Sequence, residues 1–183
     1  MGEMKLRALE ERDAEQMLEW MHDPFVVRNM QTDFAGKTIE DCRRFIEASA
    51  DTAHNLNLAV VDDKDEYMGT VSLKNISGDA AEFAITVRRS AMGKGYASFA
   101  MREIIGIAFE KYHLSMVYWC VDPENARAIR FYEKNGYKRW PVSNELVAGR
   151  YTEEQIKRFY WFRVINSWNR GEEGDGPGCS RNC

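Results

Sequence analysis

The first chemical signal in the sequence is the stretch Val87-Arg88-Arg89-Ser90-Ala91-Met92-Gly93-Lys94-Gly95-Tyr96-Ala97. A β-branched apolar run, Phe83-Ala84-Ile85-Thr86-Val87, leads into it, and a segment of helical periodicity leads out. Two glycines one residue apart at such a strand-to-helix turn let the backbone approach a ligand closely. The amides of the turn and of the first helical turn have no partner inside the helix. The helix dipole adds partial positive charge at the same place. This is the chemistry of an anion site, for a phosphate or pyrophosphate. It is not a nucleotide P-loop, because Gly93-Lys94 and Gly95-Tyr96 lack the four-residue spacing and the closing Gly-Lys-Ser/Thr. A dinucleotide fingerprint would place a third glycine where Ser98 stands, and would need a second wound half that the chain does not offer.

A second constellation follows an apolar strand, Met116-Val117-Tyr118-Trp119-Cys120. It runs Val121-Asp122-Pro123-Glu124-Asn125 and continues through Tyr132 to Gly136-Tyr137. Asn125 stands where an N-cap is needed. Tyr132 follows seven residues later, two turns on, so the two project from one helix face. Its phenol is a possible proton donor. Upstream, strand alternation puts Glu82, Ala84 and Thr86 on one face and Phe83, Ile85 and Val87 on the other. Glu82 is a candidate general base.

The elements that must position these groups read as one globular domain over residues 1–166, followed by a polar tail at 167–183 expected to be disordered. A first strand covers Lys5 to Leu9. A helix opened by Asp13 carries Ala14, Met17, Leu18 and Met21, and Asp23-Pro24 is expected to stop it. A short helical piece spans Phe25 to Met30. Thr38 with Asp41 has the spacing of a capping box for another helix. Leu56–Val61, Tyr67–Leu73 and Ala81–Val87 read as an antiparallel meander. The central helix is expected from about Lys94 to Tyr112, with Ala97, Met101, Ile104, Ile105 and Ala108 as its buried stripe. The strand-helix-strand unit that follows implies a parallel pair. Lys138–Trp140 and Arg158–Ile165 read as further strands, with Thr152–Gln155 as an alternative short helix entering the last one. The expected fold class is thus α/β (α+β): a mixed, mostly antiparallel sheet of six to seven strands flanked by helices.

Composition is that of an ordinary globular domain, 44% hydrophobic and 30% charged, with a net charge of −4 that argues against a nucleic-acid surface. No apolar run is long enough to span a membrane, and no secretory segment opens the sequence. The four cysteines show neither zinc spacing nor a disulfide framework, so no metal is expected and a reducing, cytoplasmic setting is. His22 has no second ligand at metal spacing.

Taken together, Gly93-Lys94-Gly95-Tyr96-Ala97 and the Asn125, Tyr132, Gly136-Tyr137 series resemble the GNAT superfamily of acetyl-CoA-dependent N-acetyltransferases over roughly residues 4 to 165. The branch resembled is that of ribosomal-protein, polyamine and amino-sugar acetyltransferases. The family's pyrophosphate loop reads Gln/Arg-x-x-Gly-x-Gly/Ala. Ser90 departs from its first position, and Arg88 and Arg89 are expected to compensate. The resemblance implies a splay between the parallel strands, with the pantetheine arm of acetyl-CoA against the backbone of Ile85, Thr86 and Val87. It places the pyrophosphate on Met92, Gly93, Lys94, Gly95, Tyr96 and Ala97, with Asn125 nearby. Tyr132 would protonate the departing thiolate and Glu82 would deprotonate the amine through water. The N-terminal helices would wall the acceptor pocket, with Trp20, Met21, His22, Phe25, Met30 and Phe34 as candidates. The implied acceptor is a small amine or amino sugar, then a protein N-terminus, on a monomer or homodimer acting in a sequential transfer. The Ser90 departure keeps open an acetyl-CoA sensor without turnover.

Overall fold

The computed structural model describes residues 2–166; the expected tail, with Cys179 and Cys183, lies outside them. Six strands form one sheet in sequence order: β1 (Lys5–Ala8), β2 (Leu56–Val61), β3 (Tyr67–Ser77), β4 (Ala80–Val87), β5 (Met116–Val121) and β6 (Tyr160–Ile165). Every neighbouring pair is antiparallel except β4–β5. Among the described residues seven helices flank it: α1 (Ala14–Met21), α2 (Pro24–Val27), α3 (Ile39–Ala48), α4 (Tyr96–Glu110), α5 (Ala126–Lys134), α6 (Asn144–Val147) and α7 (Glu153–Arg158). The mixed sheet and its parallel pair are as the sequence predicts.

Local chemistry sets the element ends. The Thr38–Asp41 capping box forms, with the Thr38 amide donating to Asp41 Oδ2 at 2.8 Å. Thr152 and Gln155 build a second box at α7, so the 152–165 stretch is a short helix followed by a strand, not one or the other. α4 begins at Tyr96 because Gly95 sits at φ 89°, a conformation that ends the preceding turn, and it stops two residues before Tyr112. Asp13 does not cap α1. Its buried carboxylate takes a two-pronged pair from Arg7 (both 2.8 Å) and the Glu10 amide (2.8 Å), tying β1 to the helix entrance. Pro24 does not simply stop α1; it opens α2 as a first-turn proline, with the Phe25 amide on Asp23 Oδ1 at 2.9 Å. The expected strand at Lys138–Trp140 is only a bridge of Arg139 to Phe162, since Pro141 removes the next backbone donor.

α4 and α5 pack on one face of the sheet around Val71, Leu73, Phe83, Met101, Ile104, Trp119 and Phe162, the main core. The opposite face carries two smaller cores. One lies under α1 and α3 (Met17, Trp20, Cys42, Ala59, Val61, Tyr67) and one under α6 and α7 (Tyr118, Val147, Phe159, Trp161). Between them β4 presents only small side chains, Ala84 and Thr86, so a trough remains where a larger residue would have joined the two cores.

Close approach of β3 to β4 depends on Gly69. A Cβ there would lie 2.3 Å from the Thr86 carbonyl oxygen and 2.9 Å from Val87 Cα. No side chain can be accommodated without moving the end of β4. Beneath the trough, the Tyr67 hydroxyl accepts from Trp20 Nε1 (3.0 Å) and shares a hydrogen bond with Thr70 Oγ1 (2.7 Å). Tyr67→Phe strands both buried partners and is expected to cost about 2 kcal/mol. Equilibrium urea unfolding measures this; an unchanged midpoint would mean the chain Trp20–Tyr67–Thr70 contributes nothing.

Candidate functional site

The parallel strands pair only through Ala80–Met116, Ala81–Val117 and Glu82–Tyr118. Beyond that β4 runs on to Val87 and β5 to Val121 without bonding each other, so the splay is present. β4 remains bonded to β3 on its other side, with Ile85 opposite Val71, Thr86 opposite Thr70 and Val87 opposite Gly69. Its edge toward β5 therefore offers unpaired amides and carbonyls to whatever enters the gap.

A cavity of about 500 Å³ occupies that gap. Ile85, Thr86, Val87, Met92, Gly93, Gly95, Ala97, Asn125 and Tyr132, all singled out from sequence, line it. Lys94 and Tyr96 do not; they flank the lining glycines and point elsewhere. Gly93 and Gly95 have φ of 75° and 89°, values that a side chain resists. α4 has no side-chain cap, and its first intrahelical bond is the Phe99 amide to the Gly95 carbonyl (3.0 Å). The amides of Tyr96, Ala97 and Ser98 are left for an anion.

Arginines supply further positive charge, and of the two the sequence nominated only Arg89 is among them. Arg88 is consumed inside the protein by Glu19 (2.8 Å), Glu66 (2.8 Å) and the Tyr67 carbonyl (3.0 Å). Arg28, Arg89 and Arg127 instead gather round the Phe25 ring, their guanidinium carbons 4.9, 4.6 and 5.1 Å from its centroid. Arg28 and Arg127 have no carboxylate partner among the described residues. Burial, and then the charge of Arg28, pull the Arg127 guanidinium below its ordinary value. Arg127 lines the cavity with its Nη1 on Met92 Sδ. Like charges gathered round one ring are relieved by an anion. Sequence reasoning missed Arg127, two residues after Asn125; its place on the α5 entrance was the available signal.

Asn125 both caps α5, accepting from the Ala128 amide at 3.1 Å, and lines the cavity. Tyr132 is 7% exposed and packs on Trp119 and Phe162, with ring centroids 5.2 and 5.3 Å away. Its hydroxyl has no partner among the described residues. Burial raises its pKa well above the ordinary phenol value, so the group stays protonated.

A second cavity of about 370 Å³ lies in the trough on the opposite face and shares Ile85 and Thr86 with the first. Thr70, Ser72, Lys74, Ala84 and Asn57 form its floor, and Met17, Trp20, Met21, Phe34, Lys37, Asp41 and Phe45 its walls. Of the expected wall residues, Trp20, Met21 and Phe34 are in place. Met30 lines the first cavity, and both His22 and Met30 line a neighbouring hollow under α2; Phe25 lines neither large cavity and carries the arginines instead.

Glu82 lines neither cavity. Its carboxylate is 5% exposed and already committed: Arg150 Nη1 donates to Oε2 at 2.6 Å, Asn75 Nδ2 to the same oxygen at 3.3 Å, and the Tyr151 hydroxyl to Oε1. Arg150 also donates to the Tyr118 hydroxyl (2.6 Å) and the Leu146 carbonyl (2.5 Å). This corrects the expected base: Glu82 stands outside both cavities, and its carboxylate serves three protein donors instead of a water at the amine. Among the described residues no group of three or more His, Cys, Asp or Glu is placed to hold a metal, and no helix is long and apolar enough to cross a membrane.

Comparison with known proteins agrees with this geometry. A family model described as an acetyltransferase (GNAT) domain matches residues 3–138. The spermidine N(1)-acetyltransferase of Escherichia coli strain K12 is 30% identical over 158 residues, covering 79% of this chain and 76% of that one. The crystal structure of the spermidine N-acetyltransferase of Vibrio cholerae in complex with CoA and spermine superposes with a TM-score of 0.71 at 20% identity, covering 88% of this chain and 95% of that one. A dodecameric form of the Vibrio cholerae enzyme gives 0.67 at 23% identity, covering 92% of this chain and 98% of that one. At these identities the two structures speak for the fold.

Removing one partner from the Glu82–Arg150 pair leaves a charge in a largely buried position. Glu82→Gln is expected to lower stability by on the order of 3 kcal/mol. Denaturant unfolding checks this, and an unaltered midpoint would show that the pair does not hold α6 and α7 to the sheet.

Proposed function

Since the chain belongs to the GNAT family of acetyltransferases, whose members take the acetyl group from acetyl-CoA, we propose that it moves that group to the primary amine of a small molecule held in the second cavity. The observation that carries this reading is that two cavities share Ile85 and Thr86 in their linings, one suited to a polyanion with an extended arm and one walled by aromatic and thioether side chains. The first fits acetyl-CoA on three grounds already described: an unpaired strand edge, two glycines at positive φ before an uncapped helix, and Arg127, without a carboxylate partner among the described residues, in its lining.

The roles of the chain's own residues follow. The edge of Ile85–Val87 orients the arm by backbone pairing. The turn amides and Arg127 hold the phosphates. The amine enters from the trough past Thr86, and water in the trough takes its proton; a free aliphatic amine has a pKa of about 10.4, so the rate rises with pH as the neutral form accumulates. The N–C bond forms as the C–S bond breaks. Tyr132 donates a hydrogen bond, and then its proton, to the departing sulfur; the acylated nitrogen releases its second proton to water in the trough, and Tyr132 regains one from solvent. A phenol kept protonated by burial remains a donor across the whole working pH range. Glu82 holds Arg150 and Tyr151, which stand outside both cavities, against the sheet. Cys42 and Cys120 are free thiols, which supports a cytoplasmic setting. Spermidine is the acceptor named for the bacterial relatives; it is one of the amines to be tried.

Tyr132→Phe is expected to reduce kcat on the order of 10²-fold with acetyl-CoA affinity nearly unchanged. Initial-rate thiol release together with calorimetric titration of acetyl-CoA separates the two effects. Undiminished turnover would take Tyr132 out of the mechanism, and binding of acetyl-CoA without thiol release on any amine would point to a sensor.

A further inference from the structure

The charges around the second cavity restrict which amines can use it. Two lysines line it, Lys37 half-buried and Lys74 exposed at the edge. Neither ammonium has an ion-pair partner among the described residues. Asp41 is the one carboxylate in the lining, and it is occupied: Oδ2 accepts from the Thr38 amide and hydroxyl (2.8 and 3.0 Å), and Oδ1 from Arg44 at 2.5 Å. Glu82, directly across the β3–β4 ladder from Lys74, is occupied by Arg150, Tyr151 and Asn75. Asp33, in the loop that supplies Thr32 and Phe34, caps the Ala35 amide at 2.9 Å. Asn57 adds a neutral donor. Ser72 Oγ donates to its Oδ1 at 2.7 Å, which leaves the amide NH₂ facing the cavity with no partner among the described residues.

Hydrogen-bond donors and positive charge are thus in surplus at the cavity: Asp41 and Glu82 are matched by Arg44 and Arg150, and Asp33, which keeps its charge, lines the neighbouring hollow instead. A polyamine would bring two or three more cations into this setting, and like charges at close range disfavour one another. We infer that the acceptor is an amine that also carries an anionic group, a carboxylate or a phosphate, held by Lys37, Lys74 and Asn57 while its amine reaches Thr86. This rests on the acetyl-transfer reading and leaves the bond changes of that reading as they stand. It separates this chain from relatives that are named for spermidine. The apolar walls, Met17, Trp20, Met21, Phe34 and Phe45, suit the carbon body between the two polar ends.

Matched amines test the inference. Thiol release from acetyl-CoA is measured with 1,4-diaminobutane against 4-aminobutanoate, with glucosamine against glucosamine 6-phosphate, and with spermidine. The expected result is a kcat/KM at least tenfold higher for the acidic member of one pair; which pair shows it tells a carboxylate from a phosphate. In Lys37→Glu/Lys74→Glu that preference is expected to fall at least tenfold or reverse, while calorimetry shows acetyl-CoA still bound. Lys74→Gln, a change at an exposed position, gives the same readout if the double variant does not fold. Turnover of spermidine or diaminobutane above the acidic amines, or equal turnover within both pairs, would overturn the inference and leave acetyl transfer standing. Thiol release on no amine would overturn acetyl transfer and the inference together.

Discussion

Three residues of parallel pairing followed by separation is the constraint on which the rest of the molecule depends. β4 and β5 are bonded at Ala80–Glu82 and Met116–Tyr118 and nowhere beyond. Twist alone opens neighbouring strands only gradually. Here a cluster of rings packs at the point where pairing stops. Trp119 sits immediately after the last paired residue of β5, edge-on to Phe83 at 5.4 Å and to Tyr137 at 5.1 Å, and stacked on Phe162 at 5.8 Å. Tyr132 closes the same cluster. Such a set of rings keeps the strands apart and at the same time fixes the one phenol that faces the opening. The site is rigid because the core that supports it is rigid.

Electrostatics divide the two sides of the sheet. On one, the uncapped start of α4 and the arginines round Phe25 provide a field for a polyanion. Arg88, next to Arg89 in sequence, has its charge spent on Glu19 and Glu66 within the fold. On the other, the trough beside β4 keeps its carboxylates in ion pairs and caps. Both sides meet at Ile85 and Thr86, the residues that line both cavities. Gly69 holds β3 close behind them, so the meeting point cannot drift.

Much of this was legible from local chemistry. Gly93 and Gly95 announce themselves because only a backbone at positive φ needs glycine at that spacing, and Thr38 with Asp41 announces a helix because both halves of the box lie within one turn. The seven-residue interval from Asn125 to Tyr132 gives the facing correctly. What escaped depends on contacts remote in sequence. Glu82 reads as a free strand carboxylate until Arg150, 68 residues later, is brought against it. Asp13 reads as a cap until Arg7 claims it. Arg88 and Arg89 are adjacent in the chain, and only the fold decides that the first is buried in ion pairs while the second joins Arg28 and Arg127. The bridge at Arg139 was overread as a strand because its β-propensity is judged without the proline that follows.

Amide hydrogen exchange with and without acetyl-CoA tests the central claim most directly. Binding in the gap should slow exchange at the open edge of Ile85–Val87 and at the amides of Gly93 through Ser98, with little change on β1 and β2. Protection confined to any other part of the sheet, with those two segments unaltered, would contradict the account.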